Sequence, residues 1–241
     1  MSRFDPKTLC AAAGLAVAVV TPAAAQDWEY GLKPYFWAPG IDATYTFGGN
    51  PPTGGDSSFW DKFEGAFLLQ GYARNGEWSL LGEFNYLKLG ETYLPSVPVL
   101  TTDIGLDGYM VSGGVGRQLH RDQDSFVELY GGLRYWDVEM TALNPAFGGA
   151  QVDKAWVDPF VGLRGHFELR PGLMLVGRAD IGGFGVGSKF QADLQGALSW
   201  AVGDTTKLEL GYRHLAVDFE DTTVFADIAL SGPYFALDFR F

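Results

Sequence analysis

Cysteine is nearly absent: Cys10 is the single one in a chain of 241 residues. It sits in an N-terminal apolar stretch, so the rest of the chain has no disulfide staple, no thiol nucleophile and no thiolate metal site. Long hydrophobic runs are absent too. No stretch reaches the roughly eighteen apolar residues that carry a helix across a bilayer, and mean hydropathy is only +0.02. Basic residues are scarce, with 17 Lys and Arg against 29 Asp and Glu and a net charge of −12. That excludes the basic footprint of a nucleic-acid binder, and no nucleic-acid partner is expected. Histidine is rare at three residues, with no clustered His/Cys/Asp spacing for a metal. No cofactor is expected either.

What is abundant is glycine, at 33 residues, and aromatics, at 15%. Glycine and aromatics in short, evenly spaced segments are a β-barrel composition. The start is distinct from the rest. Arg3 and Lys7 precede the apolar run Leu9 to Val20, and Ala23-Ala24-Ala25 follows. A positive start, a short apolar middle and small residues at a cleavage site mark residues 1–25 as a secretory signal peptide, leaving 26–241 as one domain.

Beyond residue 25 the repeated pattern is alternation. In 190–202, Phe190, Ala192, Leu194, Gly196, Leu198, Trp200 and Val202 fall on one face, while Gln191, Asp193, Gln195 and Ser199 fall on the other. A period of two over a dozen residues is a strand with one apolar face. It is also longer than the usual soluble strand of about five or six residues. The same pattern predicts strands at 28–47, 63–74, 77–89, 104–117, 125–139, 154–168, 172–183, 190–202, 206–219 and 228–241, with a kink at Pro39-Gly40. Single-chain bacterial barrels have even strand numbers, so ten is the expected count, with eight or twelve as alternatives. The fold class is all-β, an antiparallel up-and-down transmembrane barrel.

Connection lengths supply the topology. Asn75-Gly76, Arg170 to Gly172 and Gly203 to Thr206 are tight turns, and Gln118 to Asp124 is a short link. The alternate connections, at 48–62, 90–103 and 141–153, are longer and read as loops. Short turns at one end and long loops at the other mark periplasmic and extracellular sides. A soluble ligand-carrying barrel would show the same alternation, since alternation does not say which face points out. Aromatics near strand ends favour the membrane, among them Trp28, Tyr30, Phe36, Trp78, Tyr86, Trp200, Tyr212 and Phe239. So do charges of both signs in mid-strand on the opposite face.

Particular stretches resemble a known family. "LKPYFWAPGIDATYTFGG", "VELYGGLRYWDVEM", "WVDPFVGLRGHFEL", "LELGYRHLAVDFED" and "LSGPYFALDFRF" look like recurrent segments of small Gram-negative outer-membrane β-barrel proteins. The resemblance covers nearly all of 26–241 and implies an outer-membrane location, with outer-membrane lipid, lipopolysaccharide and the barrel-assembly machinery as partners. It also implies that Phe235, Leu237, Phe239 and Phe241 form a C-terminal insertion signal; they equally suit the lipid-facing side of a closing strand.

With the apolar face outward, the interior follows strand by strand. Glu29, Lys33 and Tyr35 point in from the first strand, and Glu83 and Asn85 from the third. The fifth supplies Glu128, Tyr130, Arg134 and Trp136. Asp158, Arg164 and His166 come from the sixth, Arg178 and Asp180 from the seventh, and Asp193 from the eighth. Glu209 and Arg213 on the ninth and Asp238 and Arg240 on the tenth complete the set. Enclosed charges must be paired or hydrated. They either form an ion-pair network that fills the barrel or line a narrow pore and set its selectivity. Function is therefore expected to be porin-like passage of small solutes. The alternatives are a closed structural or surface-interaction barrel, or a carrier of small hydrophobic molecules entered through the apolar loop 91–103. No histidine lies beside a serine in the chain, so no catalytic residue is assigned and no enzyme activity is expected. "GFGVG" at 183–187 opens no helix and reads as a tight turn. The acids Asp218, Glu220 and Asp221 are expected to face solvent, where they would share cations with anionic lipopolysaccharide.

Overall fold

The computed structural model describes residues 28–47, 53–57, 63–95, 101–122, 125–144, 148–222 and 224–241; the expected signal peptide lies outside them. The strands in chain order are β1 (Glu29–Trp37), β2 (Gly40–Phe47), β3 (Thr53–Ser57), β4 (Phe63–Asn75), β5 (Trp78–Pro95) and β6 (Thr101–Arg121). They continue with β7 (Phe126–Asn144), β8 (Gly148–Arg170), β9 (Leu173–Gly182), β10 (Phe190–Ala201), β11 (Thr206–Glu220) and β12 (Val224–Arg240).

All pairings are antiparallel between neighbours from β4 to β12, and β12 pairs back onto β1 to close the sheet. β1 and β2 are two halves of one wall strand. β1 runs beside Tyr234–Arg240, and β2 continues along the same strand beside Val224–Ser231. The wall therefore has ten strands. The bend falls at Ala38-Pro39, because Pro39 has no N–H to give to a ladder. Ala38 N still donates to Pro233 O at 3.0 Å, which keeps the two halves on one partner. Glycine is required opposite the bend, since a Cβ on Gly232 would stand 2.1 Å from the Ala38 carbonyl oxygen. The β1–β12 seam keeps one register but is interrupted: Gly31 and Leu32 pair with Arg240 and Phe239, and pairing resumes at Tyr35 with Ala236, passing over Lys33 and Pro34.

Three of the segments expected as long loops are partly strand. Thr53–Ser57 adds to the free edge of β2, β5 and β6 run on together to Pro95 opposite Thr101, and β7 and β8 to Asn144 opposite Gly148. The ladder propagates past the expected ends because each added residue finds a partner on the facing strand, as Thr92 does opposite Ile104 and Thr141 opposite Gln151. The residues of loop 91–103 between Pro95 and Thr101 lie outside those described. At the other end the links stay tight, with Gly76 and Gly172 in the left-handed region at φ of 57° and 78°.

Along β10 the outward side chains include Phe190, Leu194 and Leu198, all exposed, while Gln191, Asp193, Gln195 and Ser199 are buried. An apolar exterior around a polar interior is the arrangement of a membrane barrel and the reverse of a soluble one. Phe36, Trp78, Tyr212, Phe235 and Phe241 are likewise exposed outside; Leu237 and Phe239 are partly covered. A charge on this surface tests the assignment. Leu194→Arg, in mid-strand, is expected to lower stability in phospholipid bilayers by about 2–4 kcal/mol, read by equilibrium denaturant unfolding; an unchanged midpoint would mean that this face does not meet hydrocarbon.

Candidate functional site

The charged residues that alternation points inward gather at two levels. The upper level is a belt across the lumen. Arg213, from β11, grips Asp193 of β10 in bidentate fashion, with Nε–Oδ1 at 3.0 Å and Nη2–Oδ2 at 2.7 Å. Its Nη1 stands 3.0 Å from Glu83 Oε1 and also donates to the Tyr35 hydroxyl. Arg178, from β9, bridges Glu83 and Asp193 at 2.7 Å each. Arg134, from β7, lies 3.1 and 3.2 Å from the two oxygens of Asp180. Three arginines thus meet three carboxylates. Tyr35 and Asn85 complete Glu83 at 2.8 and 2.9 Å, and Tyr130 completes Asp180 at 2.7 Å. Arg134 and Arg213 are fully buried, stacked 4.9 Å over Phe160 and 4.8 Å over Trp37. Burial of this kind is tolerable only because each charge has a partner of opposite sign and most remaining lone pairs are filled.

Asp158 departs from expectation. It is fully buried, but its carboxylate accepts from neutral donors instead of an arginine: Ser188 N and Oγ at 2.7 Å, Trp156 Nε1 at 2.8 Å and Gly187 N at 3.2 Å. These donors reach it because the glycine-rich stretch is the tight turn its sequence suggests. Gly183, Phe184 and Gly185 take φ of 85°, 51° and 74°, and fold the following residues back onto the barrel. Asp158 anchors the β9–β10 turn.

The lower level lies toward the short-turn end and is looser. Arg164 lies 3.2 Å from each oxygen of Glu128, and Lys33 lies 3.1 Å from Glu209. Glu128 occupies the space over Gly116, where a Cβ would meet its carboxylate oxygen at 1.7 Å. Arg74 and Arg240 stand 3.8 and 3.9 Å from Glu29. Asp238 is partly buried, and His166 packs edge-on against Phe126 at 4.3 Å between ring centroids. A polar cavity of about 140 Å³ lies among these residues and reaches up to Glu83 and Arg134 of the belt.

Above the belt the inner wall turns apolar, which alternation alone did not reveal. Trp136, Val138, Trp156, Val217, Phe219 and Leu230 face a second cavity of about 80 Å³. Sequence reasoning placed Trp136 inside but treated the apolar residues of the other strands as outward. Near the top of β11, Leu215, Val217 and Phe219 are the inward set and His214, Ala216 and Asp218 the outward one. The signal was available in the unbroken count of two from Arg213.

Two further placements depart from the chain-local picture. His214 Nδ1 lies 2.6 Å from Ser231 Oγ across the β11–β12 pairing, on the outward side of the sheet. Sequence neighbours cannot reveal such a pair, and it leaves both polar groups satisfied on an apolar surface. His120 falls within β6, exposed at the short-turn end. At the opposite rim, Glu220 pairs with Lys189 and Asp221 with Lys154, and the Glu220 carboxylate holds the Lys189 pKa above the ordinary lysine value. Among the described residues no group of three or more His, Cys, Asp or Glu stands close enough to hold a metal ion.

No protein-family model matches the chain, and no curated protein sequence matches it. Solved structures do. The outer-membrane protease OmpT from Escherichia coli superposes with a TM-score of 0.60 at 11% identity, covering 94% of this chain and 99% of that one. The fold is that of an outer-membrane β-barrel. The transport unit of the E. coli autotransporter AIDA-I is a looser match, with a TM-score of 0.46 at 9% identity and 96% of each chain covered. At these identities the likeness is one of fold.

The belt of this barrel makes a stability prediction. Arg213→Ala leaves Asp193 and Glu83 short of a buried partner and is expected to cost about 3–5 kcal/mol. Arg240→Ala, at a loose and partly open pair, should cost no more than about 1 kcal/mol. Side-by-side unfolding titrations of the two variants in the same lipid give the comparison, and equal losses would deny the belt its role.

Proposed function

We propose that this protein is a closed outer-membrane barrel that presents its long hairpins to the outside, with no continuous aqueous pore through its middle. One observation carries the reading: Glu128, Arg134, Asp158, Asp193 and Arg213 are all at 0% exposure in the lumen. An open channel would leave such groups in contact with water. The fold supports an outer-membrane address. The exposed apolar exterior supports contact with outer-membrane lipid and lipopolysaccharide, and the outward Phe235 and Phe241 fit recognition by the barrel-assembly machinery. The reading assigns the barrel no catalytic role.

Porin-like passage of small solutes is the competing reading, supported by the 140 Å³ polar cavity on the short-turn side. It requires the Arg134, Arg178 and Arg213 pairs to part, and buried pairs of this kind are costly to break. Planar-bilayer recordings on the purified protein distinguish the two. The closed barrel is expected to give no stable conductance steps, and Arg213→Ala to introduce them or raise the baseline current. Steady ohmic steps from the native protein would overturn the closed reading and favour passage.

A further inference from the structure

The inner wall above the belt has the wrong chemistry for a membrane-barrel lumen, which is ordinarily polar. It is lined by carbon, and it is not filled. The polar groups on the lining are few, and each is already engaged. The Trp37, Trp136 and Trp156 indole N–H groups donate to Gly232 O, Gln191 Oε1 and Asp158 Oδ2 at 3.3, 3.2 and 2.8 Å. The Tyr109 side chain points to the outer face, beside the inward Met110, and donates to Asp137 there at 2.8 Å. Asn85 donates to Glu83 at 2.9 Å, and its Oδ1 lies 2.6 Å from the Tyr35 hydroxyl, both contacts lying in the belt. A water molecule in a cavity needs two to four polar partners, and these side chains have their donors committed elsewhere. The space is a dry one.

Its shape is equally constrained. Trp136 and Trp156 stack at 5.8 Å between centroids and 15° between planes, and Phe219 leans on Trp156 at 4.3 Å and 31°, making one run of three packed aromatic rings. Val138, Val217 and Leu230 bring branched aliphatic groups to the same space. The belt forms the floor, so entry is from the long-hairpin side. A volume of about 80 Å³ is smaller than the roughly 150 Å³ of an apolar cavity known to take benzene, but this one is not sealed.

We propose that this cup is a binding site for one small hydrocarbon group, a single aromatic ring or a short alkyl chain, inserted from the outside with no hydrogen-bonding group at its buried end. The proposal goes beyond the closed-barrel reading and uses the belt only as its floor. Binding is read on the protein, independently of conductance, so either can fail alone.

Met110 is buried on the cup wall, and Met174 sits toward the short-turn end with its sulfur beside Lys207. With ¹³C-methyl methionine in the native barrel reconstituted in lipid nanodiscs, benzene is titrated as the probe. The Met110 methyl resonance is expected to shift with ring-current sign and to saturate, while Met174 stays still. Ala226→Phe and Val217→Phe, which fill the cup from different strands, should each weaken the saturation at least tenfold. A Met110 shift that grows linearly without saturating, or that Met174 shares, is partition into lipid and overturns the site; so does saturation unchanged in either filled variant. Should neither variant fold, the Met110 and Met174 comparison in the native protein still decides.

Discussion

Ionised groups enclosed in a barrel whose outside is hydrocarbon have only one another, and whatever water can enter, for solvent. That constraint organises this molecule. The three-arginine belt is its strictest expression: Arg134, Arg178 and Arg213 each reach a carboxylate on another strand, so the pairs tie the wall across its width and along its circumference. The aromatic rings beneath Arg134 and Arg213 replace part of the lost hydration through their negative faces. Where the constraint relaxes toward the short-turn end, the pairs lengthen and a polar cavity appears.

The belt also divides the interior by chemistry. Below it the lumen is charged; above it the same inward positions carry Val, Leu, Phe and Trp. Asp158 belongs to the boundary, holding the β9–β10 turn against the upper wall through neutral donors.

Much of this was legible in the residues. The alternation Glu128, Tyr130, Arg134, Trp136 set the face of β7 without ambiguity, because charge in mid-strand admits only one inside. Pro39 announced the bend, and tight-turn glycines fixed the polarity of the hairpins. Illegible parts share a cause: they depend on neighbours far apart in the chain. His214 meets Ser231 and Trp156 meets Phe219 only once strands are registered. Near the tops of β11 and β12 both faces are largely apolar, as in Leu215, Ala216 and Val217, so the period of two loses its contrast there. The hairpins outgrew the expected loops for a related reason, since ladder growth depends on the partner as much as on local propensity.

The interrupted closure between the first and last strands has a mechanical meaning. The ladder between β1 and β12 passes over Lys33 and Pro34, the latter with no amide hydrogen to share, and β2 then carries the same seam on along Val224–Ser231. Like a zip missing two teeth, the line holds one register on either side of the gap, and Lys33 reaching past β12 to Glu209 of β11 adds a side-chain tie beside it.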